Sequence, residues 1–397
     1  MRLLFVGSIY PDYLLNYLLS IGEGADFAAN NFQQALLEGF VAHCGRIEIV
    51  SSPSIANPHV CDAHMLCARE SSVAELGNSS LYYVGSTKKK WLKLPSELFR
   101  VRSTVKHLLC DDVSKNIVCC YALHSPFLLA LVSLRRRFKK GCVIVPDLPE
   151  FMSDQESLFR RIVKRIDRKV IDYCVRRLDC FAFLSDAMAD QLPIKDQPWV
   201  LVEGIYRSKT VPDIKKNDKI VILYTGQLKK RYGVFDLVEA FKRIPNSDYE
   251  LWLCGGGSQE EMKWLQSQSD CDGRIKLLGR VSPDKALALQ KEARLLVNPR
   301  HSDEEFTKYS FPSKTMEYLA SGTPTLMCRL SSIPEEYYEH LFFFDDESVE
   351  GMANKIIEVC QISENALARK GLAASEFIRT RKNAFQQVGK ILSLLQE

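Results

Sequence analysis

Ile220-Val221-Ile222-Leu223-Tyr224-Thr225-Gly226-Gln227-Leu228-Lys229-Lys230-Arg231-Tyr232-Gly233-Val234 is the stretch on which the fold turns. It opens as a short apolar run rich in β-branched residues, breaks at a glycine and a basic turn, and passes into a helical pattern. Just before it, residues 208–219 are polar and without periodicity, the composition of a linker. A strand that restarts behind a linker divides the chain into two halves. C-terminal to it, strand patterns at 249–254, 274–278, 294–298, 324–328 and 341–345 alternate with helical patterns at roughly 233–243, 258–268, 282–292, 313–321 and 347–360. N-terminal to it, strand patterns fall at 2–7, 46–51, 117–121, 142–146 and 180–184, with 199–203 leading into the linker. Such alternation marks parallel sheets covered by helices. It predicts an α/β chain of two Rossmann-like, doubly wound domains facing each other across a cleft. The expected bounds are 1–205 and 206–375, with a C-terminal helix over 376–397 returning to the N-terminal domain.

The composition agrees with this and narrows the function. A chain of 397 residues is more than one core usually supports, and 46% apolar with 26% charged residues is ordinary for a globular protein. A net charge of +4 is too mild to argue for nucleic acid, so no nucleic-acid partner is expected. The thirteen cysteines sit in apolar runs such as Val118-Cys119-Cys120-Tyr121, without the paired spacing of a zinc site. They read as reduced, buried thiols. The N-terminus is apolar for only five residues before Gly7, too short for a signal sequence or a membrane span. A cytoplasmic location is the expectation.

Ligands of such sheets bind beyond the carboxyl ends of the strands. There lies Phe311-Pro312-Ser313-Lys314-Thr315-Met316-Glu317-Tyr318-Leu319-Ala320-Ser321-Gly322-Thr323-Pro324. Ser313 is a good N-cap, Gly322 a good residue to end a helix, and Pro324 stops it, which predicts a short helix over 314–321. Its free N-terminal amides and Lys314 can hold a phosphate. Glu317, one turn on, can accept hydrogen bonds from two vicinal ribose hydroxyls. The bland alternative is a capped helix with a solvated glutamate.

This segment resembles the donor-site signature of family 4 glycosyltransferases, retaining enzymes of the GT-B fold. The resemblance implies transfer of a sugar from a nucleotide-sugar donor to a saccharide or lipid-linked saccharide acceptor, with no cofactor beyond the donor itself and no metal. It implies that Glu317 binds the nucleotide ribose and that Ser310, Phe311, Pro312 and Ser313 meet the diphosphate and donor sugar. The family often has a first glutamate eight positions earlier, where this chain has Tyr309. Sugar contacts then pass to Ser310, Phe311 or backbone amides, with Glu304 or Glu305 as substitutes. In the loop after residue 225, the family's Gly-Arg-Leu and Lys-Gly become Gly226-Gln227-Leu228 and Tyr232-Gly233. Positive charge for the leaving diphosphate is then expected from Lys230 and Arg231. Gly255 and Gly257 would let backbone approach a nucleotide, or simply make a turn.

In the N-terminal half, His124 follows a strand, and the resemblance implies that it touches the donor sugar. Taken alone, it reads as structural more often than not. Asp147 repeats the position one strand later, where it would orient or deprotonate an acceptor hydroxyl or merely start a turn. Asn30 and Asn31, behind a glycine-bearing loop at 22–25, are acceptor-site candidates. Asp270-Cys271-Asp272 precedes Gly273 and reads as a turn, not a metal motif. Residues 158–178 carry eight basic against two acidic residues, with apolar residues at 159, 162, 163, 166, 170, 173 and 174. That pattern suits an anionic membrane surface, or a helix that buries its stripe on the sheet. Basic clusters at 88–93 and 135–140 fall in the same half, and reversible attachment to the inner face of the cytoplasmic membrane is the expectation. A sugar-nucleotide epimerase of the same fold and a catalytically silent nucleotide-sugar binding partner remain open. A Rossmann dehydrogenase is disfavoured, because Gly7-Ser8-Ile9-Tyr10 gives no Gly-x-Gly-x-x-Gly.

Overall fold

A computed structural model describes residues 2–10, 12–20, 26–53, 70–73, 76–85, 87, 92–148, 158–207, 214–303 and 305–396. The chain forms two compact units, Met1–Ile205 with Ala384–Glu397, and Tyr206–Asn383.

The first unit is built on β1 (Arg2–Gly7), β2 (Glu48–Ser51), β3 (Glu70–Val73), β4 (Ser79–Tyr83), β5 (Asn116–Tyr121), β6 (Lys140–Val145), β7 (Cys180–Phe183) and β8 (Trp199–Leu201), in the order β3-β4-β2-β1-β5-β6-β7-β8. β3 runs antiparallel to β4, and the other pairings are parallel. β5 is buried along its whole length, as expected of a strand covered by helices on both faces. The helices are α1 (Asp12–Ser20), α2 (Phe27–Cys44), α3 (Lys93–Leu108), α4 (Ser125–Ser133) and α5 (Leu158–Val175). The sequence does not announce β3 and β4, whose serines interrupt any apolar run. Pairing with β2 holds β4 in place, helped by the Ile47 amide donating to Ser79 Oγ at 3.2 Å.

The second unit has an all-parallel sheet of β9 (Ile220–Gln227), β10 (Tyr249–Gly256), β11 (Ile275–Gly279), β12 (Leu295–Asn298), β13 (Thr325–Met327) and β14 (Phe342–Phe343), ordered β11-β10-β9-β12-β13-β14. Around it lie α6 (Val234–Lys242), α7 (Gln259–Cys271), α8 (Pro283–Glu292), α9 (Ser313–Ser321), α10 (Val349–Gln361) and α11 (Glu364–Arg381). The expected boundary at 375 falls inside α11, which continues to Arg381. The last helix, α12 (Ala384–Gln396), belongs to the first unit, where Val388, Ile391, Leu392 and Leu395 join a core with Leu3, Phe5, Leu36 and Phe40. α2 and α12 meet so closely that a Cβ on Gly39 would stand 2.4 Å from the Ala384 carbonyl oxygen.

Strand order reverses between β1 and β5 in the first unit and between β9 and β12 in the second. Residues after these strands border the crevices where α/β sheets bind ligands. His124 follows β5, the 226–233 loop follows β9, and His301 follows β12.

Candidate functional site

α9 begins one residue earlier than the sequence suggests. Ser313 is its first residue, Pro312 is the N-cap, and no side chain caps the helix. The proline's fixed, extended backbone sets the start, so Ser313 stands inside the helix and cannot cap it. The first-turn amides are therefore left without a side-chain acceptor, the condition for anion binding. The C-terminus is as read, with Gly322 at φ 79°. Lys314 Nζ donates to Glu317 Oε2 at 2.8 Å, and both side chains are partly exposed. The phosphate-binding and ribose-binding candidates are thus paired with each other. Tyr318, fully buried, fixes α9 to the end of β9. Its hydroxyl accepts from the Thr225 amide at 2.7 Å and donates to the Thr225 carbonyl at 3.1 Å. Nothing but its apolar position marks Tyr318 in the sequence.

Two of the proposed sugar contacts change character. The Phe311 ring is only 6% exposed and lies 5.5 Å from the Tyr337 ring, in the core. Pro312 is buried as well, so both can offer a ligand only backbone. Ser310 is exposed, and its carbonyl accepts from Ser332 Oγ at 3.2 Å. Glu304 and the Glu305 side chain lie outside the described residues.

Beyond β9, Gln227, Lys230 and Arg231 are exposed. The Lys230 amide donates to Glu261 Oε1 at 3.1 Å, and its side chain is exposed. Gly255 and Gly257 have a packing reason. A Cβ at Gly255, φ 152°, would meet the Gly226 carbonyl oxygen at 1.7 Å, and one at Gly257 the Leu228 carbonyl at 2.5 Å. Sheet closure between β9 and β10 already demands both, without a nucleotide. Arg300, which the sequence reading did not select, brings positive charge from the β12 side, 4.8 Å from the Tyr232 ring centroid. Burial pulls it below its ordinary range, yet a guanidinium stays charged at neutral pH.

In the first unit the chain leaves β5 through Ala122 at φ 69°, a left-handed conformation that costs a non-glycine residue about 1–2 kcal/mol. The kink delivers His124 to the head of α4, where its Nε2 lies 3.0 Å from Glu97 Oε2 and its ring meets Phe127 edge-on at 4.7 Å. Ser52 Oγ donates to the other Glu97 oxygen at 2.7 Å. Burial pushes the Glu97 carboxyl up, but the hydrogen bonds and charge of His124 and the bond from Ser52 outweigh it and hold it below its usual range. Glu97 was not foreseen, since only the fold brings α3 against the β5 exit. Asp147 is exposed just after β6. Asn30, expected at the acceptor, has its side chain turned into the fold. It is buried, and its Oδ1 accepts from the Tyr10 amide at 3.0 Å, tying α2 to the chain after β1. Asn31 is exposed, and the 22–25 loop lies outside the described residues.

The apolar residues of α5 are buried at its C-terminal end and exposed along much of the rest. Ile171, Cys174 and Val175 are buried, whereas Leu158 is 74%, Ile162 46%, Ile166 58% and Tyr173 49% exposed. Of the companion clusters, 88–91 lie outside the described residues, and Arg135 is spent on an ion pair with Asp179. Among the described residues no helix is long and apolar enough to cross a membrane. Asp270 and Cys271 are the last residues of α7 rather than a turn, and Asp272, its C-cap, is held by Arg274 at 2.7 Å.

A further cluster escaped the sequence reading, which assigned no metal ligand. His301, Cys328 and Glu347 place ligand atoms within 4.8 Å of one another. His301 Nε2 lies 2.8 Å from Asp236 Oδ2, and Nδ1 3.3 Å from Glu347 Oε2. Burial lowers the imidazole's proton affinity, but the two carboxylates outweigh it and raise it above the ordinary range.

Comparison with known proteins bears on both units. Over its whole length the chain superposes on a sucrose-phosphate synthase of Thermosynechococcus elongatus with TM-score 0.67, covering 98% of that chain at 15% identity. It superposes likewise on Anabaena HepE in complex with UDP (0.65, 100% of that chain, 13% identity) and on a lipopolysaccharide outer core galactosyltransferase (0.62, 99%, 14%). The chain has the GT-B fold. Residues 207–371, the second GT-B unit, match the family model described as glycosyl transferases group 1. No curated protein matches the chain in sequence.

Proposed function

We propose that this protein is a retaining, hexosyl-class glycosyltransferase of family 4 that moves a sugar from a nucleotide-sugar donor to a saccharide or lipid-linked saccharide of a cell-surface polysaccharide. The observation that carries the reading is α9, a helix with an uncapped N-terminus, Lys314 and Glu317 one turn apart, anchored through Tyr318 to the strand at the switch point. The amides and Lys314 take the diphosphate, and Glu317 exchanges its lysine for the ribose hydroxyls. Lys230, Arg231 and the half-buried Arg300 add the positive charge that a departing nucleoside diphosphate needs, in place of a divalent ion. Gly226 and Gln227, with Ser310 and Ser313, complete the donor contacts. His124 and Asp147 are the groups assigned to the reacting sugar and the acceptor hydroxyl. The match of 207–371 to the glycosyl transferases group 1 model supports the reading, as does a fold shared with a galactosyltransferase and with a protein that binds UDP.

The test is release of nucleoside diphosphate from UDP-, GDP- and dTDP-sugars, without added Mg2+ or Mn2+, in the presence of cell-envelope saccharide extract. One donor is expected to be consumed in an extract-dependent way, and Lys314→Ala is expected to abolish it. Consumption without extract would favour the epimerase, and consumption of none would favour the silent binding partner.

We also propose that α5 attaches the enzyme reversibly to the inner face of the cytoplasmic membrane. The exposed apolar side chains stand on a helix with a surplus of arginine and lysine, the composition that lies on anionic lipid. Flotation with anionic vesicles is expected to carry the protein upward, neutral vesicles to leave it behind, and Ile162→Glu with Ile166→Glu to abolish the difference. No preference for anionic vesicles in the unaltered protein would end the idea.

A further inference from the structure

His301, Cys328 and Glu347 come from three adjacent strand ends. His301 follows β12, Cys328 directly follows β13, and Glu347 follows β14 and precedes α10. The carboxyl edge of a parallel sheet is where such folds place ligands. We propose that these three side chains form a site for a zinc-class transition metal ion, with Asp236 as its outer partner and solvent in the fourth position. The positions of the side chains suit a metal ion. His301 Nε2 and Asp236 are at 2.8 Å, the distance of a strong charge-assisted hydrogen bond. That bond fixes the ring and turns Nδ1 inward, the arrangement in which a carboxylate orients a metal-bound histidine. Nδ1 and Glu347 Oε2 are 3.3 Å apart, long for a hydrogen bond between charged groups. It equals the edge of a tetrahedron with metal–ligand bonds of about 2.0–2.1 Å.

The remaining ligand fits in character as well. Cys328 is fully buried, so its sulfur lines the floor of the cluster. The Ser302 amide donates to Glu347 Oε2 at 3.0 Å and holds that carboxylate in place. Burial raises the Cys328 thiol well above its usual range, and the negative charges of Glu347 and Asp303 raise it further. A divalent cation reverses that balance, taking up the negative charge and releasing the thiol proton as it binds. Imidazole, thiolate and carboxylate together select zinc over magnesium or calcium, which prefer oxygen alone. Met327, the neighbour of Cys328, receives a hydrogen bond from Thr315 of α9 at 3.7 Å, and His301 heads the loop leading to α9. A bound ion would therefore pin the strand ends on which the proposed donor helix rests. It would serve as a structural tie, and its existence does not depend on sugar transfer.

The test uses the full chain, stripped of metal and titrated with Co2+ and then Zn2+. Cobalt is expected to give a near-ultraviolet thiolate charge-transfer band at a single equivalent, and zinc to abolish it by displacement. Cys328→Ala should lose the band, while Asp236→Asn should keep it with affinity weakened about 10–100-fold. Glu347→Gln, at a half-exposed position that tolerates the change, should weaken binding without unfolding the chain. No band in the unaltered protein, or a band that survives Cys328→Ala, overturns the proposal. His301 would then be a structural histidine hydrogen-bonded between Asp236 and Glu347.

Discussion

Glu317→Ala is expected to weaken donor binding about 100-fold while leaving the fold intact. Two hydrogen bonds from ribose hydroxyls to a carboxylate contribute about 1.5–3 kcal/mol each. Part of that is offset, because Glu317 already holds Lys314 at 2.8 Å before the nucleotide arrives. A net loss of about 3 kcal/mol corresponds to roughly two factors of ten in the dissociation constant. Stability should hardly change, since the side chain is half exposed and the ion pair is worth at most about 1 kcal/mol. Isothermal titration with the preferred nucleotide measures the first, and urea denaturation the second.

His124→Ala is expected to lower kcat about 100-fold or more, the range for a positioned group at the reacting centre, with nucleotide affinity unchanged. Glu97 acts through His124, so Glu97→Gln should cost about tenfold alone and almost nothing in the His124→Ala background. A purely structural Glu97 would show additive losses instead. The pair also has a pH signature in stability. The Glu97 carboxyl is held below its usual range, so its contribution is fully present above the unfolded-state carboxylate pKa and is lost as pH falls through the lowered native value. Comparing Glu97→Gln with the unaltered protein from neutral to acid pH should show a stability gap that closes on the acid side.

Local chemistry explains what could be read from the sequence. Apolar runs fix the strands that are covered on both faces, such as β5, and Gly322 fixes the end of α9 because the left-handed turn there is a property of one residue. What could not be read is non-local. β4 exists by pairing with β2 and β3 by pairing with β4, and their serines give no pattern. Glu97 and His124 are 27 residues apart and meet only because α3 lies against the β5 exit. Spacing also says nothing about the side on which a loop residue points. Phe311 and Asn30 are therefore drawn into the interior, one by its ring and one by an unsatisfied backbone amide. For α5 both outcomes were consistent with the sequence; Leu158, Ile162 and Ile166 are exposed, and flotation with anionic vesicles is the test of what they meet.

The most direct measurement on the donor site compares the affinity of the preferred nucleoside diphosphate with that of its 2′,3′-dideoxy analogue, in the unaltered chain and in Glu317→Ala. If Glu317 holds the ribose, the unaltered chain binds the analogue about 100-fold more weakly, and Glu317→Ala binds both alike. Equal binding of the two by the unaltered chain, or a preference that persists in Glu317→Ala, would contradict the assignment of this helix to the nucleotide.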